Sequence, residues 1–147
     1  MNLTVYTDGA SRGNPGKSGA GVLILDERKQ EIVSLKEYLG IATNNEAEYK
    51  ALIIALEYLS AAANISDFSE ILFLLDSQLL VFQMKGIYSV KSANILPLYN
   101  KAKKLINSIQ GGSKHNRSPL AIEFRHIPRE LNKEADRLAN IAIDTAE

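Results

Sequence analysis

Asp8, Glu48, Asp76 and Asp136 are the residues of this 147-residue chain whose types and settings could do chemistry. Each stands where a folded domain would otherwise place an apolar or a turn residue. Brought together, such carboxylates suit a metal-dependent phosphodiesterase. Paired divalent ions about 3.5–4 Å apart activate a water and stabilise the leaving oxygen during in-line attack on a phosphodiester, and they need clustered oxygen ligands. Acids packed that closely repel one another, so at least one is expected to titrate above the ordinary carboxylate range until metal relieves the repulsion. Mg²⁺ is the expected ion, with Mn²⁺ as a substitute, because the set is all oxygen in a chain with no cysteine and only two histidines.

The elements that must carry these acids can be read locally. Asp76 ends the run Ile71-Leu72-Phe73-Leu74-Leu75, which reads as a strand buried on both faces. With Ser77 behind it, Asp76 also reads as the cap of a following helix. Glu48 lies on the stripe of Ala51, Leu52, Ala55 and Leu59, whereas Glu46 steps to Lys50, Ile53 and Glu57 and reads as solvated. Asn45 as N-cap with Glu48 three residues on also makes a capping box, a role that can coexist with chemistry. Asp8 ends the strand Leu3–Thr7 and precedes a segment rich in Gly, Asn and Pro, expected to be a tight connection whose backbone approaches a ligand closely. That segment lacks the ending and the following helix of a nucleotide P-loop. Asp136 falls in the first turns of the final helix, with Asn132 as the expected N-cap, where the helix dipole favours an acid whatever its function. Its stripe partners Ala139, Asn140 and Ile143 turn it partly inward.

Along the whole chain the pattern predicts strands at 3–8, 19–26 and 31–39, a helix at 45–63 and a strand at 70–76. Helices at 77–85 and 95–109, a strand at 120–127 and a helix at 133–144 follow. Gly19, Gly21 and the turn at 26–30 fit a meander of the first three strands. Alternating helices and strands then complete a mixed sheet. One domain over 1–147 is expected, with 110–118 as a flexible polar loop. No apolar run reaches membrane-spanning length, and the chain opens directly into a strand without a leader pattern. The absence of cysteine fits a cytoplasmic protein.

Four motifs in order carry a resemblance to type 1 ribonuclease H: Thr-Asp-Gly (7–9) followed by Gly-Asn-Pro-Gly (13–16), Thr-Asn-Asn-x-x-Glu (43–48), Asp-Ser-Gln (76–78), and Asn-Lys-Glu-Ala-Asp-x-Leu-Ala (132–139). They span almost the whole chain at family-like gaps. The resemblance implies an α/β ribonuclease H-like fold, a mixed five-stranded sheet flanked by helices on both faces. It also implies an endoribonuclease that cuts the RNA strand of RNA/DNA hybrids with two Mg²⁺ ions, leaving a 3′-hydroxyl and a 5′-phosphate. By motif position, Asp8, Glu48, Asp76 and Asp136 would be the metal ligands. Gly13, Asn14, Asn44, Asn45 and Gln78 match positions that contact the hybrid, largely through RNA 2′-hydroxyls and bases in the minor groove. Thr43 matches a DNA-phosphate contact. Neutral amides both donate to and accept from a 2′-hydroxyl, the group that separates RNA from DNA.

His126 matches, by its interval before Asp136, an auxiliary histidine of many family members. Yet it lies in what reads as the last strand, on the face of Ile122 and Phe124, and Pro128-Arg129-Glu130 replaces the usual glycine and histidine loop. A structural role at the strand end competes with the auxiliary one, and Arg129 or Glu130 is an alternative for that loop function. His115 reads as exposed loop.

The formal net charge is +0, but its distribution is uneven. From Ser77 to Ile122 there is no acidic residue, while Lys85, Lys91, Lys101, Lys103, Lys104, Lys114 and Arg117 form a basic lobe able to hold a phosphate backbone. A solvated helix face is the competing reading for Lys101, Lys103 and Lys104. The basic protrusion of better-known members has no room in the short stretch from Met84 to Asn94, which resembles compact archaeal and some bacterial or plant-type members. Weaker, more salt-sensitive substrate binding by a monomer is expected. Double-stranded RNA or RNA–DNA junctions as additional substrates, and a noncatalytic hybrid-binding module, are the alternatives.

Overall fold

The computed structural model describes residues 1–111 and 120–146. Lys114, His115 and Arg117, read above as parts of a basic, polar loop, lie outside the described residues. The elements run β1 (Asn2–Gly13), β2 (Gly16–Leu25), β3 (Glu31–Ala42), α1 (Asn44–Ala61), β4 (Glu70–Leu75), α2 (Gln78–Met84), α3 (Leu96–Gly111), β5 (Ala121–His126) and α4 (Lys133–Asp144). Short 3-10 turns precede β4 and α4 at Ile65–Asp67 and Arg129–Leu131. The five strands form one mixed sheet in the order β3-β2-β1-β4-β5, antiparallel on the β1–β3 side and parallel from β1 to β5.

Strand alternation decides which helices cover which face. Leu3 and Val5 of β1, Val22 and Ile24 of β2, and Ile71, Phe73 and Leu75 of β4 are fully buried in one core with α1, α2 and α3. Phe73 stacks on Phe124 of β5 with ring centroids 5.0 Å apart, directly across the β4–β5 pair. On the other face α4 lies over β2 and its neighbours, and it seats on bare backbone. A Cβ at Gly21 would collide with the Ala135 carbonyl, and one at Gly19 with the Ala139 carbonyl. Gly19 and Gly21 lie within the β1–β2–β3 meander as expected, and their lack of a side chain serves the packing of α4. Leu72 and Leu74 are only half-buried on this face, so β4 is sealed on one side, not on both as its apolar run suggests.

Two local expectations are corrected. β1 continues to Gly13 and pairs with β2 without a break, so Asp8 sits within a strand and the Gly-rich segment is the end of a β-hairpin, with only Asn14 and Pro15 between the strands. The cap of α1 is Thr43, not Asn45. Thr43 Oγ1 accepts from the Glu46 N–H at 3.1 Å, and Glu46 Oε1 accepts from the Thr43 N–H at 2.9 Å. Glu46 therefore closes the capping box, and Glu48 is left without a capping duty. Among the described residues no helix is long and apolar enough to cross a membrane.

Candidate carboxylate site and adjoining cleft

β1 and β4 run side by side with Thr7 opposite Leu75, so Asp8 and Asp76 follow as neighbours at the same end of the sheet. α1 brings the third acid. It approaches β1 so closely at Gly9 that any Cβ there would overlap the Ala47 carbonyl and the Glu48 nitrogen. In that contact the Gly9 N–H donates to Glu48 Oε1 at 3.1 Å. One carboxylate oxygen from each of Asp8, Glu48 and Asp76 then lies within 4.8 Å of the other two. Ser77, rather than Asp76, caps α2, accepting from the Leu80 N–H at 3.3 Å, so Asp76 is not engaged as a cap.

Asp136 approaches from α4. It stands outside the group of three, yet its carboxyl acts on that of Asp8. The seating of α4 is fixed by Asn132, which is 1% exposed and donates from Nδ2 to the Thr7 carbonyl at 2.9 Å. Asn132 is the N-cap by position but makes no side-chain cap bond. Its amide instead ties the entrance of α4 to the strand residue next to Asp8.

Burial and mutual repulsion set the electrostatics. Asp8 is 5% exposed, and burial first, then the charges of Glu48 and Asp76, push its carboxyl up to about 10. Burial and the Asp76 charge push Glu48 up to about 8, with the Gly9 N–H working in the opposite direction. Asp76 is also raised by burial, opposed chiefly by the Arg129 guanidinium, whose Nε lies 3.9 Å from Asp76 Oδ2. The second oxygen of Glu48, Oε2, is buried with no hydrogen-bond partner. A buried carboxyl oxygen without a partner, in a cluster whose ionisation is opposed by repulsion, is what a hard divalent cation would satisfy, so the residues present fit such an ion.

At the entrance of α1, the helix that carries Glu48, lies a cleft of about 420 Å³ lined by Asn14, Thr43, Asn44, Asn45, Ser92, Asn94 and Ile95. The Asn44 N–H donates to Asn14 Oδ1 at 3.0 Å, which engages the amide oxygen and leaves its NH₂ as a donor. Gly13 ends β1 just before Asn14, and Gln78 is exposed at the first residue of α2. Ser92 and Asn94 were not anticipated. They come from the irregular stretch between α2 and α3, which only the tertiary fold carries back to the entrance of α1.

His126 ends β5 in the row of Leu75 and Thr7. It is exposed, and among the described residues no hydrogen bond or ion pair joins it to the acids. Arg125 pairs with Glu123 on its own strand, whereas Arg129 reaches a carboxylate of the site, that of Asp76. Lys101 pairs with Glu57 of α1 at 3.5 Å and thus belongs to the α1–α3 surface.

The sequence model of the reverse transcriptase-like family matches residues 6–142. A ribonuclease HI of Halobacterium salinarum is 36% identical over 141 residues, covering 96% of this chain and 64% of that protein. A bifunctional protein of Mycobacterium tuberculosis is 36% identical over 147 residues, covering 99% of this chain and 36% of that protein. The chain thus spans only part of these curated relatives. Among solved structures, RNase H1 of Halobacterium salinarum superposes with a TM-score of 0.85 at 32% identity, covering 99% of this chain and 100% of that one. LC11-RNase H1, in complex with an RNA/DNA hybrid, superposes with a TM-score of 0.85 at 38% identity, covering 97% and 96%. A family match across nearly the whole chain, with relatives and structures of this kind, makes the protein a member of the reverse transcriptase-like family of ribonuclease H-type domains.

Proposed function

We propose that this chain is a ribonuclease H, a metal-dependent endonuclease that hydrolyses the RNA strand of RNA/DNA hybrids. The observation that carries the reading is the convergence of Asp8, Glu48 and Asp76 within 4.8 Å, with Asp136 acting on Asp8 and Glu48 Oε2 buried and unsatisfied. Family relatives named ribonuclease H, and one crystallised with a hybrid, support it.

The four carboxylates would hold two divalent ions, Mg²⁺ first and Mn²⁺ as a substitute. Bound there, such ions supply an activated water and charge stabilisation on the leaving oxygen of an in-line displacement. The expected products are a 3′-hydroxyl and a 5′-phosphate. The chain's own part is positional and electrostatic. Burial and mutual repulsion in a shared site raise the proton affinity of the carboxylates, and a bound cation would relieve the same repulsion. The cleft offers the neutral amides of Asn14, Asn44 and Asn45, with Ser92 and Asn94 alongside, as donors and acceptors for 2′-hydroxyls and base edges. Thr43 Oγ1 accepts within the capping box, which leaves its O–H free to donate to a backbone phosphate. Arg129, rather than His126, is the basic side chain that adjusts the charge of Asp76.

The test is cleavage of end-labelled RNA presented as hybrid, as duplex RNA and as single strand, with Mg²⁺ or Mn²⁺. Cleavage of the hybrid RNA to 3′-hydroxyl ends is expected, and activity on duplex RNA would broaden the substrate class. Hybrid binding without cleavage in either metal would make the chain a binding module instead.

A further inference from the structure

Asp136 is the one acid of the site that comes from the far face of the sheet, and it is held by a chain of side chains that runs outward to the surface. Asn140, one turn further along α4, donates from Nδ2 to Asp136 Oδ1 at 3.2 Å and to the Asp136 carbonyl at 2.9 Å. The amide oxygen of Asn140 accepts from Arg12 Nη2 at 3.3 Å, and the same nitrogen reaches the Asn140 carbonyl at 3.4 Å. Arg12 Nη1 in turn pairs with Asp144 Oδ1 at 2.6 Å. Arg12 sits near the tip of the β1–β2 hairpin, opposite Lys17, and the same hairpin carries Gly19 and Gly21 against α4.

The polarity of this chain is forced. A guanidinium can only donate, so the oxygen of the Asn140 amide must face Arg12 and its NH₂ must face Asp136. The donor that reaches Asp136 is therefore neutral and fixed in direction. A lysine or arginine at that place would also aim the carboxylate, but its charge would oppose a cation bound beside it. An amide holds one oxygen and leaves the negative charge in place for a metal.

We infer that Asn140 is a positioning residue for Asp136, and that Arg12, braced by Asp144, fixes the orientation of Asn140. The inference rests on the metal-dependent reading of the carboxylate site. Groups that hydrogen-bond a metal ligand commonly change metal affinity or activity by roughly 10–100-fold when removed.

The experiment is calorimetric titration of the whole chain with MnCl₂ in the absence of nucleic acid, comparing wild type with Asn140→Ala and the similarly shaped Asn140→Leu. Metal-free melting curves serve as the check on folding. The expected result is unchanged metal-free melting and Mn²⁺ affinity weakened about 10-fold for one ion, with a smaller loss in Arg12→Ala at the exposed end of the chain. In cleavage assays the Asn140 variants should need more Mn²⁺ for half-maximal rate while KM for the hybrid at saturating Mn²⁺ stays at the wild-type value, a split that a loss of general structure would not produce. Folded Asn140 variants that bind Mn²⁺ as wild type does would overturn the inference and leave the metal site standing. A wild-type protein that takes up no Mn²⁺ would overturn the metal reading itself, and this inference with it.

Discussion

The Gly9 N–H donates to Glu48 Oε1 where α1 comes so close to β1 that a Cβ would overlap the Ala47 carbonyl, and this hydrogen bond links the strand that carries Asp8 directly to the carboxylate of Glu48. A side chain at position 9 would have to displace backbone rather than a flexible side chain.

Gly9→Ala is therefore expected to push α1 away from β1. Overpacking of this kind costs typically 1–3 kcal/mol, occasionally more. The melting temperature should fall, and activity should fall further than the lost stability explains because Glu48 leaves the site. A variant of wild-type stability and activity would mean that the close approach is not a requirement of the site.

The raised carboxylates make a prediction about pH. Asp8 and Glu48 hold their protons in the folded, metal-free protein up to about 10 and about 8, against ordinary values of 3.8 and 4.5. Between those limits the folded state binds more protons than the unfolded one, so stability falls as pH rises. With EDTA present, the melting temperature should decline from about pH 5 to pH 9. Mg²⁺, which binds the deprotonated acids, should reduce the decline, and Asp8→Asn should flatten it. A melting temperature that rises over this range in EDTA would contradict the assignment.

Arg129 and His126 should separate in kinetics. The guanidinium of Arg129 is 3.9 Å from Asp76, whereas His126 has no polar link to the acids among the described residues. Arg129→Ala is expected to lower kcat by roughly 10-fold, the lower range for losing a group that orients a metal ligand. His126→Ala should stay close to wild type. The reverse ranking would restore the histidine to the auxiliary role.

The stretch between α2 and α3 is short. α2 ends at Met84, Gly86 takes φ +78, and Tyr88 packs edge-on against Phe82 with centroids 5.1 Å apart. With so compact an arm, hybrid binding should depend on a few phosphate contacts and weaken steeply between 50 and 200 mM salt, as counterion release requires. KM measured across that range should climb, and Lys91→Ala should make the slope shallower. A flat response would argue against backbone charge as the main source of affinity.

Much of this site could be read from residue order. The Asp76 strand, the Glu48 stripe and the Asp136 helix each announced themselves by local pattern, and alternation gave the sheet its strands. What local pattern missed depends on contacts between distant segments. Gly9 reads as part of a Gly-rich connection, and Gly19 and Gly21 as ordinary strand residues, because nothing nearby shows that two helices press on that hairpin from opposite faces. Asn132 is the N-cap that the sequence indicates, but the partner of its side chain, the Thr7 carbonyl, is far away in sequence. Thr43 was passed over for Asn45 because both suit a cap, and only the reach of Glu46 distinguishes them. Ser92 and Asn94 lie in unremarkable sequence, and the link from Arg12 to Asn140 joins residues 128 apart that only the fold sets side by side.

In the function proposed above, Asp8, Glu48, Asp76 and Asp136 act together on a phosphodiester through divalent ions. The most direct measurement compares wild type and Asp76→Asn for both binding and cleavage of an end-labelled RNA/DNA hybrid, across a Mg²⁺ and Mn²⁺ titration. Wild type is expected to cut the RNA strand only with metal, and Asp76→Asn to bind the hybrid comparably but lose cleavage by several orders of magnitude. Cleavage that persists in Asp76→Asn, or in EDTA, would contradict that function.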